Sequence, residues 1–430
     1  MPSKRLAVFV ASFSVILGSL AITTPLLAAS KEKVLYSFCS AKNCIDGRQT
    51  YAPVVFDHAG NLYSTTAFGG ANKSSCGGVG CGTVFELIPG SNGKWAEKVL
   101  YSFCSAGSCA DGAQPSGGVT FDAAGNLYGT TELGGRYNAG TVFQLAPNNG
   151  KWIARVLHSF NPNDKDGNSP WAGLVVDRAG NLYGTTQIGG VFPCSPTSGC
   201  GTVFELIPNG GKWTYKVVFN FNGTDGAFVL GGLTPHSSGS FYGITSGGGA
   251  NDAGVVFEVT PHMSSWTEKV LSSFDYQGGW LPQSVNPTFD ATGNLYGTTY
   301  LGGAYGGGTV FELLRKGHEW VYKVLHDFDT NTGDGTSPWA GLSLGENGTL
   351  YGTTAGGGAS HSGTVFALTF DDGKWTEKVL HSFSGKDGSS PFSSLTLDQA
   401  GHLYGTTVLG GTNLSTCGGY GCGAVFEVVP

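Results

Sequence analysis

The sequence predicts an all-β chain folded as a seven-bladed β-propeller of four-stranded blades, its ring closed by pairing of the N-terminal strand with the C-terminal blade. Three observations predict it: a repeat of about 55 residues, four short β-rich segments in each repeat, and a repeat frame that opens on its fourth segment and stops on its third. Composition agrees. With 72 glycines in 430 residues, 12% aromatic and only 12% charged side chains, turns and strands are favoured over helices.

A Leu-Tyr-Gly-Thr-Thr-like segment recurs at Tyr63, Tyr128, Tyr183, Tyr242, Tyr296, Tyr351 and Tyr404. A Gly-Thr-Val-Phe-Glu-Leu-like segment follows at Phe85, Phe143, Phe204, Phe257, Phe311, Phe366 and Phe426. Next comes Trp-x-x-Lys-Val-Leu-(Tyr/His)-Ser-Phe, beginning at Trp95, Trp152, Trp213, Trp266, Trp320 and Trp375, and a fourth segment of the Gly117-Gly118-Val119-Thr120-Phe121-Asp122 type leads into the next Leu-Tyr. Each is short and bounded by Gly, Pro, Asn or Asp, which marks strands joined by turns. In spatial order the Val119 type is strand A, the Leu-Tyr type B, the Val-Phe type C and the Lys-Val-Leu type D.

The array opens on a D segment, Lys33-Val34-Leu35, and ends on a C segment, Val425-Phe426-Glu427. Each lacks what the other supplies, and pairing them removes the exposed edge of an open array. Charge supports this. Basic residues recur on strand D at Lys33, Lys98, Arg155, Lys216, Lys269, Lys323 and Lys378; strand C offers Glu86, Gln144, Glu205, Glu258, Glu312, Ala367 and Glu427, which face them across a C–D hairpin. Glu427 has no downstream lysine, so Lys33 is its expected partner.

Residues 1–30 read as a secretory signal peptide: Lys4 and Arg5, an apolar run from Leu6 to about Leu27, then Ala28, Ala29 and Ser30. The run is also long enough for an uncleaved anchor. Residues 31–430 form the propeller, and no membrane span is expected after cleavage. The ten cysteines fall into the close pairs Cys39/Cys44, Cys76/Cys81, Cys104/Cys109, Cys194/Cys200 and Cys417/Cys422. Even count, tight spacing and export favour five local disulfides; a zinc thiolate site calls for CxxC-type spacing. A net charge of −7 with dispersed Lys and Arg excludes a nucleic-acid partner. The chain is expected as a secreted, periplasmic or cell-surface monomer.

Loop lengths distinguish the two faces. Strand-B Tyr and strand-C Phe stand 15 residues apart in four repeats and 21 or 22 in those of Tyr63, Tyr183 and Tyr404, whose longer loops hold three of the cysteine pairs. The other two pairs lie in D–A connections, which emerge on the same face because antiparallel strands alternate in direction. That face is the candidate recognition surface. Its D–A loops carry Asp-Gly steps at Asp46, Asp111, Asp166, Asp225, Asp334 and Asp387, with Gln277-Gly278 in the fifth repeat, followed by the aromatics Tyr51, Trp171, Trp339 and Phe392, with Trp280 in the odd repeat. A ring of carboxylates and aromatics suits a polyhydroxylated ligand. The same residues also suit turn capping and packing between blades. No cofactor is expected; a structural calcium ion is the one metal left open.

Catalysis needs residues that break the repeat. His158, His326 and His381 occupy a strand-D position held elsewhere by Tyr36, Tyr101, Phe219 and Ser272, and His236, His262, His318 and His361 lie in loops without an evident acid or nucleophile. Nucleophile elbows, His-Glu-x-x-His and phosphate loops are absent from the sequence. The cycle of Gly-Asn-Leu-Tyr-Gly-Thr-Thr, Gly-Thr-Val-Phe-Glu-Leu and Lys-Val-Leu-(Tyr/His)-Ser-Phe resembles the GloVer tandem repeat of choice-of-anchor bacterial surface proteins over residues 31–430. The resemblance implies an exported bacterial repeat protein without an established activity. The expected function is a non-enzymatic binding module for a glycan or protein; the alternatives are a carbohydrate-active lyase or hydrolase with its site on the disulfide-bearing face, and a structural spacer.

Overall fold

A computed structural model describes residues 30–430 apart from 73–75, 196–197, 264 and 284–285; the signal-peptide reading falls outside the described residues. Seven four-stranded antiparallel sheets surround a central channel. Blade 1 runs through A Val55–Phe56, B Leu62–Thr66, C Thr83–Pro89 and D Trp95–Ser102, and blades 2 to 6 repeat this order. Blade 7 takes A Thr396–Leu397, B Leu403–Thr407 and C Ala424–Val429 from the C-terminus and its D strand, Lys31–Ser37, from the start of the described chain. Lys33 pairs with Glu427, as the charge pattern predicts. No helix among the described residues is long and apolar enough to cross a membrane.

The phenylalanines that punctuate strands C and D hold the blades to one another. Phe38 packs edge-on against Phe85 of the next blade with ring centroids 5.2 Å apart, and Phe103–Phe143, Phe160–Phe204, Phe221–Phe257, Phe274–Phe311, Phe328–Phe366 and Phe383–Phe426 repeat the contact at 5.0–5.3 Å. Each of these rings is buried. Burying one contributes about 1.5–3 kcal/mol, and each edge-to-face pair about 1 kcal/mol more. Nearer the axis, the Thr65 hydroxyl donates to the Gly117 carbonyl of the next blade at 2.9 Å, and Thr130, Thr185, Thr298, Thr353 and Thr406 do the same. Blade 4 carries Ile244 instead.

The C–D register places every expected pair opposite its partner, from Glu86↔Lys98 to Ala367↔Lys378. Among the described residues, however, only Lys98–Glu86, at 3.2 Å, closes as an ion pair. The glutamates have a nearer donor: Tyr63, Tyr183, Tyr242, Tyr296 and Tyr404 donate to Glu86, Glu205, Glu258, Glu312 and Glu427 at 2.6–3.1 Å. Strand B therefore gives each of these carboxylates a donor, and Glu86 takes its strand-D lysine as well.

Candidate functional site

Each D–A loop is organised by its Asp-Gly step. Gly47 has φ +93°, and a Cβ there would lie 2.4 Å from Thr66 Oγ1, so only glycine fits against the strand-B threonine. The preceding carboxylate turns into its own loop. Asp46 accepts from the Tyr36 hydroxyl and the Ser40 N–H, both at 2.8 Å, and Asp111 accepts from Tyr101 at 2.6 Å and the Ser105 N–H at 2.9 Å. His158, His326 and His381 place Nε2 at 2.9–3.0 Å from Asp166, Asp334 and Asp387. Tyrosine and histidine thus interchange on strand D because each brings a donor to the loop aspartate. Asp225 accepts from the Asn222 N–H at 2.8 Å. In the fifth loop the structure corrects the alignment: Gly279 lies against Thr299 as Gly47 does against Thr66, so the aspartate position is Gly278 and not Gln277. The Gly278 carbonyl there receives the Tyr322 hydroxyl at 2.7 Å.

After the loop, Gln49, Gln114, Ser169, Phe228, Leu281, Ser337 and Ser390 all hold left-handed φ values of 53–60°. This turn aims each N–H at the preceding blade's B–C loop: Gln49 donates to the Cys422 carbonyl at 2.7 Å, Gln114 to Cys81 at 2.8 Å and Phe228 to Cys200 at 2.9 Å. The D–A and B–C loops therefore share one face, and the five disulfides lie on it. Four of them stack in two pairs. Cys39 Sγ lies 3.9 Å from Cys417 Sγ, and Cys76 Sγ 3.9 Å from Cys104 Sγ.

Two residues beyond the left-handed position the chain reaches the channel mouth, at Tyr51, Ser116, Trp171, Leu230, Gln283, Trp339 and Phe392. Here aromatics from four blades converge. Tyr51 meets Trp171 at 5.8 Å and Phe392 at 5.9 Å, and Trp339 stacks on Phe392 at 4.6 Å with planes 9° apart. Beneath them lies a cavity of about 210 Å³ bounded by small residues such as Ala52, Gly118, Gly173 and Ala340. Trp280 does not belong to this ring; it pairs with Leu301 as Arg48 pairs with Phe68, three residues short of the mouth, where blade 5 places Gln283.

The mouth holds a residue that the sequence reading missed. Just past strand B the repeats carry Ala67, Glu132, Gln187, Ser246, Tyr300, Ala355 and Val408, and Glu132 alone is ionisable to a carboxylate. It lies 3.5 Å from the Ser116 hydroxyl, and burial raises its carboxyl above the ordinary range. Burial and the nearby Glu132 carboxylate likewise raise the Tyr51 phenol. Its signal in the sequence is a lone charge at a repeat position that is otherwise uncharged, which the histidines do not share. Trp339 Nε1, also at the mouth, is buried without a partner.

Fold and site together define a closed seven-bladed propeller whose disulfide-bearing face surrounds an aromatic-capped channel. The Gloeobacter/Verrucomicrobia repeat matches residues 23–193, 73–285 and 194–426, and the chain belongs to that family. No curated protein matches it. Among solved structures it is similar to a Bacteroides uniformis protein provisionally assigned as a 6-phosphogluconolactonase (TM-score 0.50, 14% identity, 80% of this chain and 88% of that one). A Lactobacillus plantarum protein gives TM-score 0.51 at 13% identity, over 81% and 89% of the two chains. At such identities the likeness concerns the fold alone.

Proposed function

We propose that this protein is an exported, non-enzymatic recognition module that holds a glycan against the mouth of its disulfide-bearing face, at the cell surface or in the periplasm. The convergence of Tyr51, Trp171, Trp339 and Phe392 over the channel carries this reading. Sugar rings offer apolar C–H faces to indole and phenol planes, and their hydroxyls match a few polar groups at the mouth, here Ser116, Gln283 and Glu132. The lone carboxylate favours retention over turnover, because glycoside hydrolysis ordinarily sets two carboxyl groups about 5–10 Å apart across the scissile bond. In this reading the Asp46-type carboxylates frame the site by ordering its loops. Five disulfides and the repeat family support a location outside the cytoplasm.

The test is a panel of polysaccharides in affinity electrophoresis, with reducing ends assayed in parallel. A polysaccharide should retard the protein without product release, and Trp171→Ala or Trp339→Ala should weaken retention about tenfold, the value of one lost aromatic contact. Replacing Asn149 or Asp372 in the C–D turns should change nothing. Released product would replace the binding module with an enzyme. Failure to bind any polysaccharide would transfer the face to a protein ligand.

A further inference from the structure

Taken alone, no cysteine pair has the spacing of a zinc site, but the ring brings pairs from different loops together. Between blades 1 and 2 the B–C bridge Cys76–Cys81 lies against the D–A bridge Cys104–Cys109, and all four sulfurs lie within 4.8 Å of one another. Four thiolates about 2.3 Å from a tetrahedral Zn²⁺ stand about 3.8 Å apart, so once both S–S bonds are broken and each bonded pair parts by about 1.8 Å, rotation of the four side chains would turn this cluster into a first coordination shell. The seam between blades 7 and 1 repeats the arrangement, with Cys39, Cys44 and Cys422 inside the same radius and Cys417 3.9 Å from Cys39. By contrast Cys194–Cys200 staples its B–C loop with no D–A bridge beside it, the equivalent loop offering Asn222 and Gly223. Ordering a loop therefore takes one bridge, whereas each D–A bridge comes with a second one stacked on it. Loop ordering alone does not account for that pairing.

We propose that the seam between blades 1 and 2 is a redox-convertible metal site, in which Cys76, Cys81, Cys104 and Cys109 hold one Zn²⁺ as four thiolates when reduced and form two disulfides when oxidised. Each bridge takes two electrons and two protons from an external dithiol, which leaves as its own disulfide. Zn²⁺ then displaces the four thiol protons. Two equivalents of a disulfide oxidant reverse the process: each accepts two electrons and, with two protons from solvent, leaves as two thiols, so that both S–S bonds re-form and the ion is expelled. Cys81 is fully buried while Cys76 and Cys104 are part-exposed, which gives the reductant a way in and the metal a sheltered side.

The test uses the full chain, reduced with a phosphine under inert gas and titrated first with Co²⁺ and then with Zn²⁺. Expected are the visible bands of tetrahedral cobalt thiolate, their loss on Zn²⁺ addition, and a higher melting temperature with Zn²⁺ than without. Cys76→Ser/Cys104→Ser should lower the bound zinc by about one ion per chain, whereas Cys194→Ser/Cys200→Ser should leave it unchanged. A zinc content unaffected by Cys76→Ser/Cys104→Ser, or cobalt bound without thiolate bands, would overturn the proposal. If reduction unfolds the chain, Zn²⁺ must restore its strand signal, and failure to do so counts equally against the site.

Discussion

Replacing Glu97 by glutamine should make the protein more stable at alkaline pH and leave it unchanged in acid. Glu97 lies on strand D of blade 1, facing the Asp46 loop of the preceding seam; Glu97 Oε1 and Asp46 Oδ1 are both buried and unpartnered. Burial, then the Asp46 charge, pushes the Glu97 carboxyl up to about 8 from an ordinary 4.5. Because the folded state holds a proton that the unfolded state releases, this group's stability is fully present below pH 4.5 and is lost as pH rises towards 8. At about 1.4 kcal/mol per unit the loss approaches 5 kcal/mol, and solvent at the part-exposed side chain reduces it to about 2 kcal/mol. An unfolding entropy of about 2 cal/mol/K per residue over some 400 residues converts this to about 2–3 °C. Melting curves of wild type and Glu97→Gln should therefore coincide near pH 4.5 and separate by that amount by pH 9. Parallel curves would refute the buried carboxyl pair. Glu32, Glu268 and Glu377, each pushed up to about 7 at seams carrying Asp387, Asp225 and Asp334, should steepen the wild type's own decline over the same window.

Removing residues 31–38 strips blade 7 of its D strand, deletes the buried Leu35 and Phe38 and uncovers Phe85 and Val425, on which they pack; a loss of ~5–10 kcal/mol is expected by calorimetry, and an unchanged melting temperature would disprove ring closure. Gly47→Ala, meeting Thr66 at 2.4 Å with φ +93°, should cost about 1–3 kcal/mol in denaturant unfolding, while Gly93→Ala, at φ +75° but meeting nothing, bears the backbone strain without the clash and should cost less. Tyr36→Phe should lose about 1–2 kcal/mol by leaving Asp46 short of a donor, and Tyr36→His should recover most of it, since histidine makes the same contact at three other seams. Peptide mapping without reductant should return the five local bridges; a Cys39–Cys417 or Cys76–Cys104 cross-link would contradict that pairing.

Seven copies of one pattern made the blades, their strand order and the closing pair readable, because every copy reports the same local physics and an error in one is outvoted by six. The Lys33–Glu427 pairing was legible for that reason. What one repeat does to its neighbour was much less so. The Phe38–Phe85 contacts join segments about 50 residues apart, and the partnership of His158 with Asp166 needed the loop's path. Glu205, Glu258 and Glu312 looked like ion-pair partners because a sequence shows charges, not the tyrosine hydroxyls that fold over them. In the fifth repeat a reshaped loop slid the alignment by a residue, and only the glycine pressed against Thr299 fixed its register.

The strand that completes blade 7 is the first to be synthesised of all those in the ring, and its partner, Ala424–Val429, is the last. Until Ala424–Val429 has been made, Lys31–Ser37 has no mate, so the ring stays open that long and its closing step is the meeting of segments nearly 400 residues apart. Loop-closure entropy makes such a step slow, and an idle strand in that interval can pair with a neighbouring chain. The alternating Lys31, Glu32 and Lys33 at its start put charge on both faces, which discourages stacking on a like strand while suiting the one edge that offers Glu427. Those residues thus act in time as well as in space, guarding the segment until its partner arrives.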